Sequence, residues 1–294
     1  MIEYARGFML SLGFDEAAVE CLCGDLSHIL ACEQAKDALS RSISAYEADI
    51  QTDFSVLLKQ AAEAGACVGV HEYRAHMLLC VLLSKHLHVC YQKEGISDEI
   101  FWTSMSDLKW KLWECKMLRG VYGTCVGMWH GLFFGMNMFA MGRLQYEIRR
   151  FRRTYEKNGK RLRPDSLVLG VHIPRTMTPF SKESCDESFA RAKEFFRGRL
   201  GDAPMAFVCN SWLLYPENEK ILHEKSNIRK FMARFDITER TDVDNYDEMS
   251  SVFDMEYTGN LEDYPENSFL QKAYKDYLKQ GGMPGRGFGV FFAE

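Results

Sequence analysis

Side chains able to take, give or hold a proton gather in three short segments of this 294-residue chain. They are Gly142-Arg143-Leu144-Gln145-Tyr146-Glu147, Leu169-Gly170-Val171-His172-Ile173-Pro174 and Cys209-Asn210-Ser211-Trp212-Leu213-Leu214. Each reads as a β-strand end that carries polar groups into or out of an apolar run. Strand ends are where mixed α/β domains usually build their sites. An imidazole by its nature exchanges protons near neutral pH, so His172 suits a general base for an amine; it suits equally a strand-end histidine that hydrogen-bonds a carbonyl to fix a hairpin. Cys209 is a nucleophile only in an exposed, electropositive setting, and a central strand makes it a buried structural thiol instead. Trp212 reads as packing. The first half holds nothing comparable, so the chemistry is expected in the second half.

Composition narrows the field. Hydrophobic residues make up 47% and charged residues 26%, a globular balance with enough apolar surface for a sizeable core. A net charge of -5 excludes a general nucleic-acid binder, which needs a basic footprint. Most of the ten cysteines sit inside apolar helical patterns, where a free thiol acts as a small hydrophobe. Glu3, Arg6 and Asp15 break any apolar run at the start, so no export signal is expected and the cytoplasm follows. His86, His88, Cys90 and Cys80 invite a metal, yet only His86 and Cys90 share a helix face, so none is expected.

One stretch tests the soluble reading. Between Arg119 and Arg143 no side chain carries a full charge, and glycines recur at 123, 127, 131 and 135. Thr124, His130, Asn137 and the glycines lower its hydropathy, so no membrane span is expected. A buried helix that packs closely through its glycines fits better, breaking near Gly135 and continuing as a strand.

The remaining pattern divides the chain near residue 137. Before it the periodicity is helical: Phe54 to Ala64, Val70 to Tyr91, and Ser97 to Arg119, where Ser97 is a natural cap. After it come strands over 138–152, with Leu144, Tyr146 and Ile148 on one face and Arg143, Gln145 and Glu147 on the other. A basic turn precedes a strand at 166–173. A helix capped by Ser181 runs to about Arg197, and a central strand follows from Pro204 to Trp212. Pro216 opens a short helix, 227–237 and 252–257 read as strands, 266–280 as a helix, and 287–292 as a last strand. The fold class is therefore α+β: a helical region over 1–137, then a mixed sheet with helices packed on it over 138–294.

These residues resemble a family of bacterial two-domain proteins, a helical N-acyltransferase N-terminal domain followed by a GNAT-like C-terminal domain. Gly-Arg-Leu-Gln-Tyr-Glu at 142–147, Val-His-Ile-Pro at 171–174, Cys-Asn-Ser-Trp-Leu-Leu at 209–214, Ser-Asn-Ile at 226–228 and Arg-Phe at 234–235 carry the likeness. It implies acyl transfer from acetyl-CoA or another acyl-CoA to an amine, without a metal. In such folds two parallel strands splay, and the pantetheine arm lies between them; here they would end at His172 and Asn210. The resemblance makes His172 and Tyr215 catalytic, Tyr215 as the acid for the leaving thiolate, although a tyrosine before Pro216 is also a plain turn residue. It makes Arg175, Ser181, Asn210 and Ser211 the CoA-binding positions, with the helix N-terminus at Ser181 offering N–H groups to phosphate. The chain departs from the pattern after Pro174, where Arg-Thr-Met-Thr-Pro-Phe-Ser replaces the glycine-containing pyrophosphate loop. It departs also at Asn210 and Tyr215, where His and Asp are commoner.

Two charge runs complete the reading. Residues 143–163 hold nine Arg or Lys against two acids, which suits CoA phosphates; residues 239–266 hold ten acids against Arg240, which suits a cationic amine acceptor. Both runs are equally well read as solvated loops. Two functions stay open: an acyl-CoA-dependent N-acyltransferase acting on a small-molecule amine, or a non-catalytic module for a small molecule or protein that keeps the fold without the pyrophosphate loop.

Overall fold

The structure, a computed structural model, describes residues 1–201 and 204–293. It divides into two compact units, Met1–Ala140 and Met141–Glu294.

The first unit is helical: α1 (Ile2–Ser11), α2 (Glu16–Ala31), α3 (Glu33–Ala48), α4 (Phe54–Ala66), α5 (Glu72–Lys93), α6 (Asp98–Arg119) and α7 (Gly127–Phe134). Side chains cap the helix starts, at Ser97 as expected and also at Asp53 and His71. Asp53 accepts the Ser55 N–H, His71 accepts that of Tyr73, and Ser97 accepts that of Ile100. Gly120, in the left-handed region at φ 71°, ends α6. The periodicity of α5 suggested one apolar face, but Met77 through Ser84 are all buried. The reason is its place: α5 packs on α1, α2, α3, α4, α6 and α7 and forms the axis of the unit.

The uncharged stretch forms only the eight-residue α7 and its flanks. Its glycines mark close approaches. A Cβ on Gly123 would lie 2.4 Å from the Tyr73 carbonyl oxygen, and one on Gly131 would lie 3.0 Å from Cβ of Phe54. Among the described residues no helix is long and apolar enough to cross a membrane.

The second unit builds on a mixed sheet. Its strands are β1 (Met138–Met141, where the division falls), β2 (Leu144–Arg150), β3 (Tyr155–Lys157), β4 (Lys160–Leu162), β5 (Leu167–His172), β6 (Ala206–Ser211), β7 (Asp236–Asp242) and β8 (Gly285–Phe292). Helices α8 (Lys182–Phe196), α9 (Asn218–Ile221), α10 (Asn227–Met232), α11 (Ser250–Phe253) and α12 (Phe269–Lys279) complete it. Six strands run in the order β1-β2-β5-β6-β8-β7, and β3-β4 is a separate hairpin turned at Asn158-Gly159, both at positive φ. β5 and β6 are parallel, while β2-β5, β6-β8 and β8-β7 are antiparallel. The α+β expectation holds, and β6 is central, as its apolar run implied.

Two layers cover this sheet. On one face Tyr146 packs against Phe189 and Phe196 of α8 and against Phe207, and its hydroxyl meets Ser188 at 2.9 Å. On the other, Phe151, Leu162, Val168, Ala206, Val208 and Val290 form a buried cluster. A third cluster gathers Val252 and Phe253 of α11, Tyr274 and Leu278 of α12, and Leu222 and Tyr264 from the segments between helices.

Three strand expectations need correction. The run from 138 is cut at Gly142, whose φ of 68° turns the chain from β1 into β2. Residues 227–237 are not one strand: Ser226 caps the Arg229 N–H and starts α10, and β7 begins only at Asp236. Residues 252–257 are no strand either. Val252 and Phe253 both enter the same cluster from α11, which alternation along a strand would forbid.

Filling one glycine contact tests the packing of α7. Gly131→Val should lower the stability of the helical unit by about 1–3 kcal/mol, the usual cost of overpacking. Circular dichroism melting would show it as an earlier transition; an unchanged melt would mean that Phe54 yields freely.

Candidate functional site

β5 reads Leu-Val-Leu-Gly-Val-His, and pleating places Val168, Gly170 and His172 on one face. β2 lies antiparallel beside it with Glu147 opposite Gly170 and Gln145 opposite His172. Glu147 and His172 are therefore diagonal neighbours on that face. The carboxylate meets the imidazole directly, His172 Nε2 to Glu147 Oε2 at 2.9 Å.

A glycine makes room for this pair. A Cβ at position 170 would lie 2.8 Å from Cδ of Arg149 and 3.4 Å from Glu147 Oε2. The space lets Arg149 approach, its Nη1 standing 3.8 Å from Glu147 Oε2. Burial pushes the Glu147 carboxyl up, but the His172 hydrogen bond and the Arg149 charge outweigh it and hold Glu147 below its usual range. Glu147 thus stays ionised at neutral pH.

On its other side β5 meets β6. The parallel register pairs Leu169 with Phe207 and Gly170 with Val208. Val171-His172 and Cys209-Asn210-Ser211 lie beyond the last of these pairs. Alternation from Val208 sets Asn210 on the His172 face, where it is exposed. Two strand ends thus run on past their shared ladder, which leaves backbone groups to bond something other than the neighbouring strand.

The other expected positions are placed as follows. Ser211 Oγ accepts the Leu213 N–H at 3.2 Å and starts a 3-10 turn over Trp212–Leu214. Ser181 forms a capping box with Ser184, and the α8 N-terminus also holds the Glu183 carboxylate, lowered by its own backbone N–H and by the Ser181 hydroxyl. A phosphate at this end must displace Glu183. Arg175 donates to Asp254 at 2.5 Å. Tyr215 is buried, and its hydroxyl donates to Asp242 at 2.6 Å while accepting from Arg240 at 3.2 Å. Burial and the Asp242 contact push that phenol well above its usual range. Its proton is therefore held by Asp242.

Cys209 is buried, and burial pushes its thiol up to about 12, so it is no nucleophile. Trp212 stacks edge-on against Tyr274, with ring centres 5.7 Å apart.

Of the basic run, Arg149 stands beside the Glu147–His172 pair, whereas the β3-β4 hairpin lies apart from it. Lys160 donates to the Ala293 carbonyl at 2.9 Å, and Lys157 pairs with Asp236 at 3.3 Å. Phe292 pairs with Ala206, so this hairpin sits where β6 begins, whereas His172 and Asn210 lie where β5 and β6 finish. A six-residue strand spans ~20 Å. The acidic run is largely paired as well: Arg153 meets Glu239, Arg240 meets Asp242, Arg286 meets Glu248, and Lys275 meets Glu266.

Two functional candidates lay unread in the first motif. Glu147 was visible only as one polar residue of β2; its partner depends on the hairpin register. Arg143 is buried, donates to the Pro174 carbonyl at 2.8 Å and lies 5.1 Å over the Phe180 ring. It pins the segment that leaves β5. An arginine directly after a turn glycine was the available signal. Among the described residues no group of three or more His, Cys, Asp or Glu side chains is placed to hold a metal ion.

With this geometry the relatives can be compared. Residues 138–291 match the family model described as the GNAT-like C-terminal domain, and residues 3–136 match the N-acyltransferase N-terminal domain. No curated protein sequence matches the chain. Among solved structures, an acyltransferase in complex with decanoyl-CoA is 23% identical over 99% of this chain and 88% of its own, with a TM-score of 0.75. An acyltransferase in complex with decanoyl-CoA and teicoplanin gives the same identity, coverage and TM-score. A variant acyltransferase in complex with octanoyl-CoA is 22% identical over 99% of this chain and 88% of its own, with a TM-score of 0.76. At such identity the likeness is one of fold. The family match covers more than half the chain, so this protein belongs to the family of the GNAT-like C-terminal domain, preceded by an N-acyltransferase N-terminal domain.

Proposed function

We propose that this chain is an acyl-CoA-dependent N-acyltransferase that acylates a small-molecule amine, with a helical domain over 1–137 and the transferase domain over 138–294. The observation that carries the reading is the short parallel ladder of β5 and β6, whose free ends bear His172 and Asn210 on one face. The acyltransferases of similar fold, three in complex with an acyl-CoA, one of these also with teicoplanin, and a fourth with CoA and 10C-teicoplanin, support an acyl-CoA donor and a small-molecule acceptor. The ten cysteines are free, which supports a reducing compartment, the cytoplasm.

In this reading the exposed backbone of the β5 and β6 ends, with Asn210, receives the pantetheine arm. The amine nitrogen attacks the thioester carbonyl; the C–N bond forms, the C–S bond breaks and the electron pair leaves with sulfur. His172 takes the amine proton, and the CoA thiolate takes one up on release, so no proton is consumed overall. Arg175, which meets Asp254 here, is assigned to CoA phosphate, and Ser181 and Ser211 shape the two turns that flank the strand ends. Tyr215 is assigned no proton transfer, because its hydroxyl serves Asp242.

The second reading, a binding module without catalysis, keeps one observation in its favour: the glycine loop is missing and Glu183 fills the α8 N-terminus. Two measurements separate the readings. Free CoA, acetyl-CoA, octanoyl-CoA and decanoyl-CoA, each at a hundred times its dissociation constant, should add ~2.7 kcal/mol to the folded state. That should raise the melting temperature of the second unit by roughly 5–10 °C. Thiol release from acyl-CoA with a panel of amines should then show turnover. Stabilisation without thiol release favours the binding module, and no stabilisation by any member rejects the CoA reading.

Tyr215→Phe tests the assignment of that hydroxyl. Loss of its hydrogen bond to Asp242 should cost about 1–2 kcal/mol in urea unfolding, with turnover retained. A fall in kcat at unchanged stability would return Tyr215 to the chemistry.

A further inference from the structure

His172 alone is a weak base assignment, because a lone imidazole has two tautomers and no fixed orientation. Its surroundings remove that freedom. Glu147 reaches it from the adjacent strand, across a register set by the whole β2-β5 ladder from Gln145–His172 to Arg150–Leu167. Both side chains are partly shielded, at 18% and 26% exposure, so the contact is neither fully solvated nor cut off from a substrate. An ionised carboxylate only accepts hydrogen bonds. The proton of neutral His172 must then sit on Nε2, and the lone pair on Nδ1.

The rest of that face supports the arrangement. Arg149, two residues along β2, keeps Glu147 charged, and Gly170 leaves the space in which the three groups meet. From β6 the neighbour on this face is Asn210, which carries no charge, and beyond β5 the cation Arg175 is engaged by Asp254. A cross-strand pair serving only the sheet needs neither a glycine opposite the carboxylate nor a position at the free end of β5.

Resting on the acyl-transfer reading, we propose that Glu147 is a positioning residue for His172. Its carboxylate accepts the Nε2–H, fixes the tautomer whose Nδ1 takes the amine proton, and steadies the imidazolium that results. This is the task of the carboxylate in a hydrolase triad, carried out here across two antiparallel strands.

The test uses the full chain and reads the imidazole as well as the reaction. Long-range 1H–15N NMR, with His172 assigned through a His172→Gln variant, should show the Nε2–H tautomer in the wild type. In Glu147→Gln the charged acceptor is gone, so the Nε2–H preference should weaken and the Nδ1–H tautomer should appear beside it. kcat should fall roughly ten- to hundredfold, less than the ~10⁴ typical of a fully buried triad carboxylate. KM should change little. Glu147→Asp should recover part of kcat. The acyl-CoA melting shift should persist in each variant, which shows that the fold and donor binding survive. An Nδ1–H tautomer in the wild type, or an unchanged tautomer in Glu147→Gln, overturns the proposal. An unchanged kcat in Glu147→Gln would leave Glu147 a structural pair and overturn it as well. A wild type that turns over no amine overturns the acyl-transfer reading itself, and the NMR result separates that failure from one of the Glu147 contact.

Discussion

Parallel strands cannot be joined by a tight turn, so β5 must leave the sheet, pass through α8 and return as β6. The crossover lays α8 on the Tyr146 and Phe207 side, where Phe189 and Phe196 fill the layer. The opposite side of the same strands carries the Val168, Ala206, Val208 and Val290 cluster and, toward the ends of β5 and β6, Glu147, His172 and Asn210. Because β5 is otherwise held by antiparallel β2 and β6 by antiparallel β8, two shared residue pairs are enough to keep them adjacent. Their ends are free to part.

Polar anchors in the second unit hold what this crossover separates. Ser188 of α8 donates to the Met141 carbonyl and meets the Tyr146 hydroxyl, tying the helix to the start of the sheet. Arg143 donates to the Pro174 carbonyl, and burial lowers the affinity of its guanidinium for its proton. Such buried contacts gain strength from the low local dielectric and are costly to leave unmade. They fix where the chain goes after His172, which a hydrophobic layer alone would leave loose.

The helical unit obeys a different constraint. α5 is buried along its middle because helices surround it, and the loop before α7 lies against its first turn through Gly123, where Thr124 also donates its N–H to the Tyr73 carbonyl at 3.0 Å. His130, buried near Thr124, is held neutral: burial drives it down to about 3. The uncharged stretch is thus explained by packing, since a charged side chain at any glycine approach would meet backbone or an aromatic ring.

Much of this was legible in the chain. Caps at Ser97 and Ser181, the helical period before residue 137 and the apolar run of β6 specify local structure, because they act through neighbours three or four residues away or through simple alternation. The strands misread at 227–237 and 252–257 are short elements whose type is set by the cluster they enter, not by their own pattern. His172 could be chosen from the sequence as a titratable group at a strand end, but not its partner. Glu147 is 25 residues away, and only the antiparallel register of β2 on β5 brings its carboxylate to the imidazole. The basic hairpin shows the same limit in reverse: its charge was plain, but its place at the far end of the sheet follows from strand direction. The sequence by itself determined which side chains exist and which local elements form. The tertiary structure decided which of them meet, because register and strand direction are set by long-range pairing that no local pattern encodes.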